Sequence, residues 1–300
     1  MNASYIAALL NSVLRTATPI MFATLACAIC SKVNVFNIAL EGQMLVATFA
    51  AIAVNYYTHS VLLCILAGMV SGGLVGFLVA VFQVKWKAKD MVVGTSLNLL
   101  ITALTAYLLY TMFNQRGTFR DTSLVSLPKV PISFGENAVF LNRVFESLNV
   151  MDIVVYVVAV LIFIFLYKTV PGYHVLSVGI NKTATISMGT KADLIQVLVV
   201  TFSGSLCGLG GVALCMGNIT MFTESMTAGR GYMAMAASSL VGAHPLGCIL
   251  ASLFFGAAVA SEKVLQNYIN GQITSAFPYL ATFVIMSISG LIRSRKAQRK

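Results

Sequence analysis

Three groups of polar side chains interrupt otherwise apolar stretches of this 300-residue chain, and each could carry a different chemistry. The first lies in Asn37-Ile-Ala-Leu-Glu-Gly-Gln-Met44, where Asn37 and Glu41 share one helical face and Gln43 lies close by. Glu41 has no basic residue three or four positions away in its own segment, so it must be solvated, protonated or paired with another element. It suits either an interhelical hydrogen-bond staple or the lining of a polar pathway. The second group is Thr95, Ser96, Asn98, Thr102 and Thr105, of which Asn98, Thr102 and Thr105 fall on one helix face. Hydroxyls in apolar helices commonly bond only to their own backbone, so Asn98, and after it Thr102, is the stronger pathway candidate. The third is Glu224 with Arg230, either an ion pair bracing an irregular backbone or a contact for a solute. No catalytic constellation accompanies them in the sequence. Paired carboxylates within apolar segments are absent, and His59, His174 and His244 lack metal-ligand spacing. Without a Gly-x-x-x-x-Gly-Lys-Ser/Thr phosphate loop, any ATP hydrolysis belongs to another subunit. The chain is therefore expected to be no enzyme and to bind no metal or cofactor of its own.

The elements that must position these groups follow from composition. Hydrophobic residues make up 58% and charged residues 9% of the chain, and the mean hydropathy is +0.89. A soluble domain carries roughly a quarter charged residues, so this chain cannot cover a water-exposed surface. Repeated apolar stretches of membrane-spanning length predict an all-α, polytopic transmembrane helical bundle, a single domain over 1–300 with about 8–10 spans. Helices are expected near 5–31, 36–57, 60–84, 91–113, 150–169, 194–216, 246–266 and 274–292. The cluster Lys85-Trp-Lys-Ala-Lys89 is expected in the cytoplasm, which puts the polar loop 114–149 outside. Pro128 and Pro131 argue against a continuous helix through that loop. The polar stretch 171–193 then falls inside, as does the basic tail 293–300.

Parity requires one more crossing between Gly217 and Ala243, yet Thr220, Thr223, Glu224, Ser225, Thr227 and Arg230 would suit lipid badly. That segment is expected to be broken or re-entrant within the bundle. About nine crossings result, with the N-terminus outside and the C-terminus in the cytoplasm of a plasma-membrane protein. The net charge of +10 does not indicate nucleic-acid binding, because the basic residues sit at the ends of apolar segments, where lipid headgroups meet them. Small residues four apart, as at Gly68, Gly72, Gly76, Gly204 and Gly208, permit close helix crossing. The six cysteines lie within apolar stretches and read as packing residues, Cys27-x-x-Cys30 included.

At these residues a resemblance emerges. Asn37-Ile-Ala-Leu-Glu-Gly-Gln-Met-Leu45 resembles a signature of permeases in the nucleoside branch of the branched-chain amino acid and ribose ABC transporter superfamily. Thr223-Glu-Ser-Met-Thr-Ala-Gly-Arg-Gly-Tyr-Met233 is similar to that branch's second signature, continued by His244-Pro-Leu-Gly247. Between them, Ser177-Val-Gly-Ile-Asn-Lys-Thr-Ala184 with Gly189 resembles the family's cytoplasmic loop. The chain departs from that loop's pattern at Ser177, Ile180 and Thr185. The resemblance implies that Gly179, Asn181, Lys182, Ala184 and Gly189 dock on a partner ATPase, which holds ATP and Mg. It further implies a second homologous permease, an extracytoplasmic substrate-binding lipoprotein and a nucleoside as solute. A sugar satisfies the same polar pathway, and a proton-coupled carrier resting on Glu41 is the competitor from another class.

Overall fold

The computed structural model describes residues 3–130, 139–146, 148–217 and 219–266, together with Leu280, Phe283 and Ser287. The expected helix 274–292 and the tail 293–300 lie outside the described residues, apart from those three positions, as does Pro131. The described part is helical throughout its membrane-length elements: α1 (Ala3–Lys32), α2 (Leu40–Thr58), α3 (Val61–Ala80), α4 (Asp90–Phe113), α5 (Val139–Val144) and α6 (Val150–Lys168). These are followed by α7 (Val170–Ile180), α8 (Lys182–Ser187), α9 (Ala192–Met216), α10 (Arg230–Leu240) and α11 (Pro245–Leu265). Six of them, α1, α3, α4, α6, α9 and α11, are long and apolar enough to cross a membrane.

Hydrogen bonds sort the two ends of the bundle. At one end the Lys32 ammonium donates to the Gly242 carbonyl, Gln196 donates to the Val33 carbonyl, and Gln83 donates to the Phe36 carbonyl. The C-termini of α1 and α3 and the N-terminus of α9 therefore meet there, with α7 packed on the Lys32 carbonyl through Gly179. At the opposite end Asn11 donates to the carbonyls of Val144 and Glu146, Asn55 donates to the Val125 carbonyl, and Leu127 N–H donates to the Met216 carbonyl. The helix ends carrying Lys32, Lys85, Lys168, Lys182 and Lys191 gather at the first, basic end.

The segment expected to be broken runs from one end to the other. It leaves α9 at Met216 and pairs as β2 (Phe222–Thr223) with β1 (Thr118–Phe119), an antiparallel ribbon that an all-α reading did not foresee. It then turns through Ser225, Ala228 and Gly229, all with positive φ, before α10 begins. The eleven residues of α10 span only about 16 Å, half of a ~30 Å hydrocarbon core. α2 is also shorter than expected: Val33–Ala39 are irregular, and Asn37 takes the Ala39 amide on its own side chain.

α2 passes through the bundle interior rather than along lipid, which is why it tolerates fully buried Gln43, Thr48 and Asn55. α4 and α6, by contrast, present Leu99, Leu100, Val157 and Leu161 outward, as lipid-facing helices do. The small residues act where α3 crosses α9: a Cβ on Gly72 would come within 2.5 Å of the Gly204 carbonyl oxygen. All six cysteines are buried free thiols, and the Cys30 thiol donates to Ser203 Oγ across 2.9 Å.

Candidate functional site

Two helices begin in the interior of this bundle, and each exposes unsatisfied backbone amides at its N-terminus. In α10 the N-terminal amides are met by Glu41. Its Oε1 accepts from Gly229 N–H at 2.7 Å and its Oε2 from Gly231 N–H at 2.7 Å. A carboxylate placed this way is stabilised by both charge-assisted bonds and the positive end of the helix dipole. Two glycines make the approach possible. Gly229, the N-cap, sits at φ 76°, and a Cβ on Gly231 would fall 2.5 Å from Glu41 N.

In α2 the same task falls to α4. Asn98, 7% exposed, accepts from Gly42 N–H through Oδ1 at 2.8 Å. Its Nδ2 donates to the Ile38 carbonyl at 3.0 Å and to the Tyr232 hydroxyl at 3.1 Å. One side chain thus ties α4 to the break before α2 and to the first turn of α10. Asn37 donates to Gln43 Oε1 at 3.2 Å, and the Cys207 thiol of α9 donates to the Leu40 carbonyl at 3.2 Å. Gln43 Nε2 is buried and has no acceptor among the described residues, an unusual state for an amide within a core.

The structure therefore gathers Asn37, Glu41, Gln43 and Asn98 into one polar node, and adds Tyr232, which sequence reasoning missed. Tyr232 lies inside the second signature and is 45% exposed. Its position three residues beyond Gly229 was the available signal, but only the fold brings it to Asn98. Thr102 stands one turn away on α4 and donates to the Asn98 carbonyl, while Thr105 donates to the Ile101 carbonyl, the backbone bonding expected of membrane hydroxyls.

Glu224 takes a place apart from the node, at the ribbon end, where it accepts from Gly117 N–H at 2.9 Å. Arg230 donates to the carbonyls of Met226 and Thr227, holding the turn that precedes α10.

At the basic end, Asn181 caps α8 by accepting from Ala184 N–H at 3.0 Å. Lys182 is more than a solvated charge: it pairs with Asp193 at 2.6 Å and donates to Gln196 at 2.7 Å, locking α8 to the first turns of α9. Gly189 adopts φ 84° in the turn between α8 and α9. Around this brace Ile180 and Met188 are 87% and 85% exposed.

Helices that begin inside a membrane bundle occur at the solute sites of transporters. The family model described as the permease component of the branched-chain amino acid transport system matches residues 9–287. The chain belongs to this family. Among relatives, a nucleoside ABC transporter permease, NupC of Lactococcus lactis, is 30% identical over 90% of this chain and 88% of its own length. A guanosine ABC transporter permease, NupQ of Bacillus subtilis, is 27% identical over 92% of this chain and 89% of its own. A putative glucose ABC transporter permease, TsgC13 of Haloferax volcanii, is 26% identical over 95% and 92%. No solved structure matches the chain. As a member of the permease family it is a transport subunit and not itself an enzyme, and its membrane-spanning helices make it a multi-pass membrane protein.

Proposed function

We propose that this permease carries nucleosides through an ATP-driven importer. The observation that carries the reading is near full-length similarity to permeases named for nucleosides and guanosine, in a chain whose broken helix is capped by Glu41 and Asn98. The exposed Tyr232 hydroxyl, held by buried Asn98, offers a neutral hydrogen-bonding group that suits a hydroxyl-rich solute. Similarity to the Haloferax glucose permease supports a sugar as the second reading.

On this reading the basic end faces the cytoplasm, following the positive-inside rule. The N-terminus of α1 is then outside, and the tail 293–300 is cytoplasmic. The α7–α8 unit, with Gly179, Asn181, Lys182, Ala184 and Gly189, receives a partner ATPase that binds ATP and Mg. Its exposed Ile180 and Met188 supply apolar area for that contact, and Lys182 ties α8 to α9 through Asp193 and Gln196. A second homologous permease completes the pathway. Two Lactococcus lactis nucleoside permeases, NupB and NupC, both resemble this chain, as paired homologues would. An extracytoplasmic lipoprotein delivers the solute. Domain-scale rocking on ATP binding would then open the seam beside α2, α4 and α10 alternately to each side.

The experiment is uptake of labelled guanosine, adenosine, uridine and glucose by cells carrying the whole transporter. A control replaces the phosphate-loop lysine of the partner ATPase. Nucleoside uptake lost in the control is the expected result. Uptake that survives it, and collapses with an uncoupler instead, would overturn the ATP-driven reading. Glucose uptake alone would move the assignment to the sugar branch.

A further inference from the structure

The α3–α4 connection carries a feature that the transport reading leaves unused. After Ala80 the chain makes a π-helical turn over Val81–Lys85 and then a tight hook. Trp86 N–H donates to the Val81 carbonyl and Ala88 N–H to the Phe82 carbonyl, while Lys87 sits at φ 52°. The hook is therefore held by its own backbone bonds, and Phe82 supports Trp86 edge-on with ring centroids 4.9 Å apart. From this base Lys85, Lys87 and Lys89 all project as exposed side chains, with Trp86 67% exposed between them. Asp90 is the acidic neighbour in sequence, so the local balance stays positive.

The flanks fix the depth of this hook. On α3, Leu74, Phe77 and Leu78 are exposed, and on α4 Met91, Val92, Leu99 and Leu100 are exposed. A helix pair with that outward surface stands against acyl chains. Its tip must then lie where the acyl region gives way to headgroups, the depth at which indole rings settle. We propose that Lys85, Trp86, Lys87 and Lys89 form a binding site for the headgroup of an anionic phospholipid. The ammonium groups bind the phosphate and any further anionic group, and the indole wedges at the glycerol level. Because the hook is pre-formed, the lipid meets an ordered site, and the α3–α4 pair gains an anchor at its tip. The proposal is independent of the transported solute.

Trp86 is the single tryptophan of the chain, so it reports on this site directly. The assembled transporter is placed in nanodiscs containing phosphatidylglycerol or phosphatidylcholine, each brominated on its acyl chain. Quenching of the Trp86 signal is obtained by subtracting a Trp86→Phe transporter. The expected result is stronger quenching by brominated phosphatidylglycerol than by brominated phosphatidylcholine at equal mole fraction. The preference should fall by roughly fivefold for each lysine changed to glutamine at positions 85, 87 and 89. Raising salt on the wild-type transporter, which needs no lysine variant, should also weaken it. Equal quenching by the two lipids would overturn the proposal. So would no quenching by either, since Trp86 would then be covered by another subunit.

Discussion

The role of Glu41 can be tested sharply, because two physical readings of it diverge. In the structure both carboxylate oxygens are committed to the first amides of α10, at 2.7 Å each. A hydrogen bond to a charged group contributes about 1.5–3 kcal/mol net, so the pair contributes about 3–6 kcal/mol before any discount for partial exposure. Glu41→Ala forfeits both bonds and leaves two donors at a helix start in the bundle. Glu41→Gln keeps one acceptor oxygen and turns an amide NH2 toward the other donor, a loss of about 2–4 kcal/mol. The assay is the thermal midpoint of the detergent-purified transporter, measured beside ATP-driven uptake at several pH values. The expected outcome is a lower midpoint in both variants, larger for alanine, with uptake falling in proportion and no change in its pH profile. A Glu41→Gln transporter as stable as wild type, with uptake abolished or its pH dependence removed, would refute the capping argument. It would instead make the carboxylate a proton or solute carrier.

Asn98→Ala removes the acceptor of Gly42 N–H and the donor to Ile38 and Tyr232, and should lower the thermal midpoint by an amount equivalent to about 2–3 kcal/mol. Gln43→Met removes the Oε1 that accepts from buried Asn37, leaving that donor unpaired, so stability should fall by about 1–3 kcal/mol. Uptake by the Gln43→Met transporter should fall as well, as radiolabelled uptake under saturating and limiting solute would show. Gly72→Val drives a branched side chain into the α9 backbone at Gly204 and should cost at least about 1–3 kcal/mol. A thermal scan compares it with Gly117→Val, whose Cβ would meet open space but whose φ of 81° carries local strain. Asn181→Ala should cost about 1 kcal/mol through loss of the α8 cap. Its larger effect should be on transport-stimulated ATP hydrolysis, measured in proteoliposomes.

Hydropathy and the placement of lysines by themselves determine much of this protein. Apolar length alone places α1, α3, α4, α6, α9 and α11 within a few residues of their observed ends, because a helix in lipid has one way to satisfy its backbone. Parity of the basic ends likewise required a crossing between Gly217 and Ala243, and the poor apolarity of that stretch marked it as broken. The signatures around Asn37 and Gly229 identified the family that the comparisons establish.

What the sequence left open were the partners of its polar groups, since those are decided across elements far apart in the chain. Glu41 meets Gly229 and Gly231 188 and 190 positions later, and Asn98 meets Tyr232 134 positions later. No local spacing encodes such pairs. The same holds for the Lys182–Asp193 brace, where a charge in a polar loop becomes structural only once α8 folds against α9. The start of α2 at Leu40 rather than near Phe36 depends on Asn37 turning its side chain to the Ala39 amide. Hydrophobicity fixes which segments enter the membrane, a property each segment carries alone; hydrogen bonds between helix ends need both partners in place, and only the packed bundle supplies them.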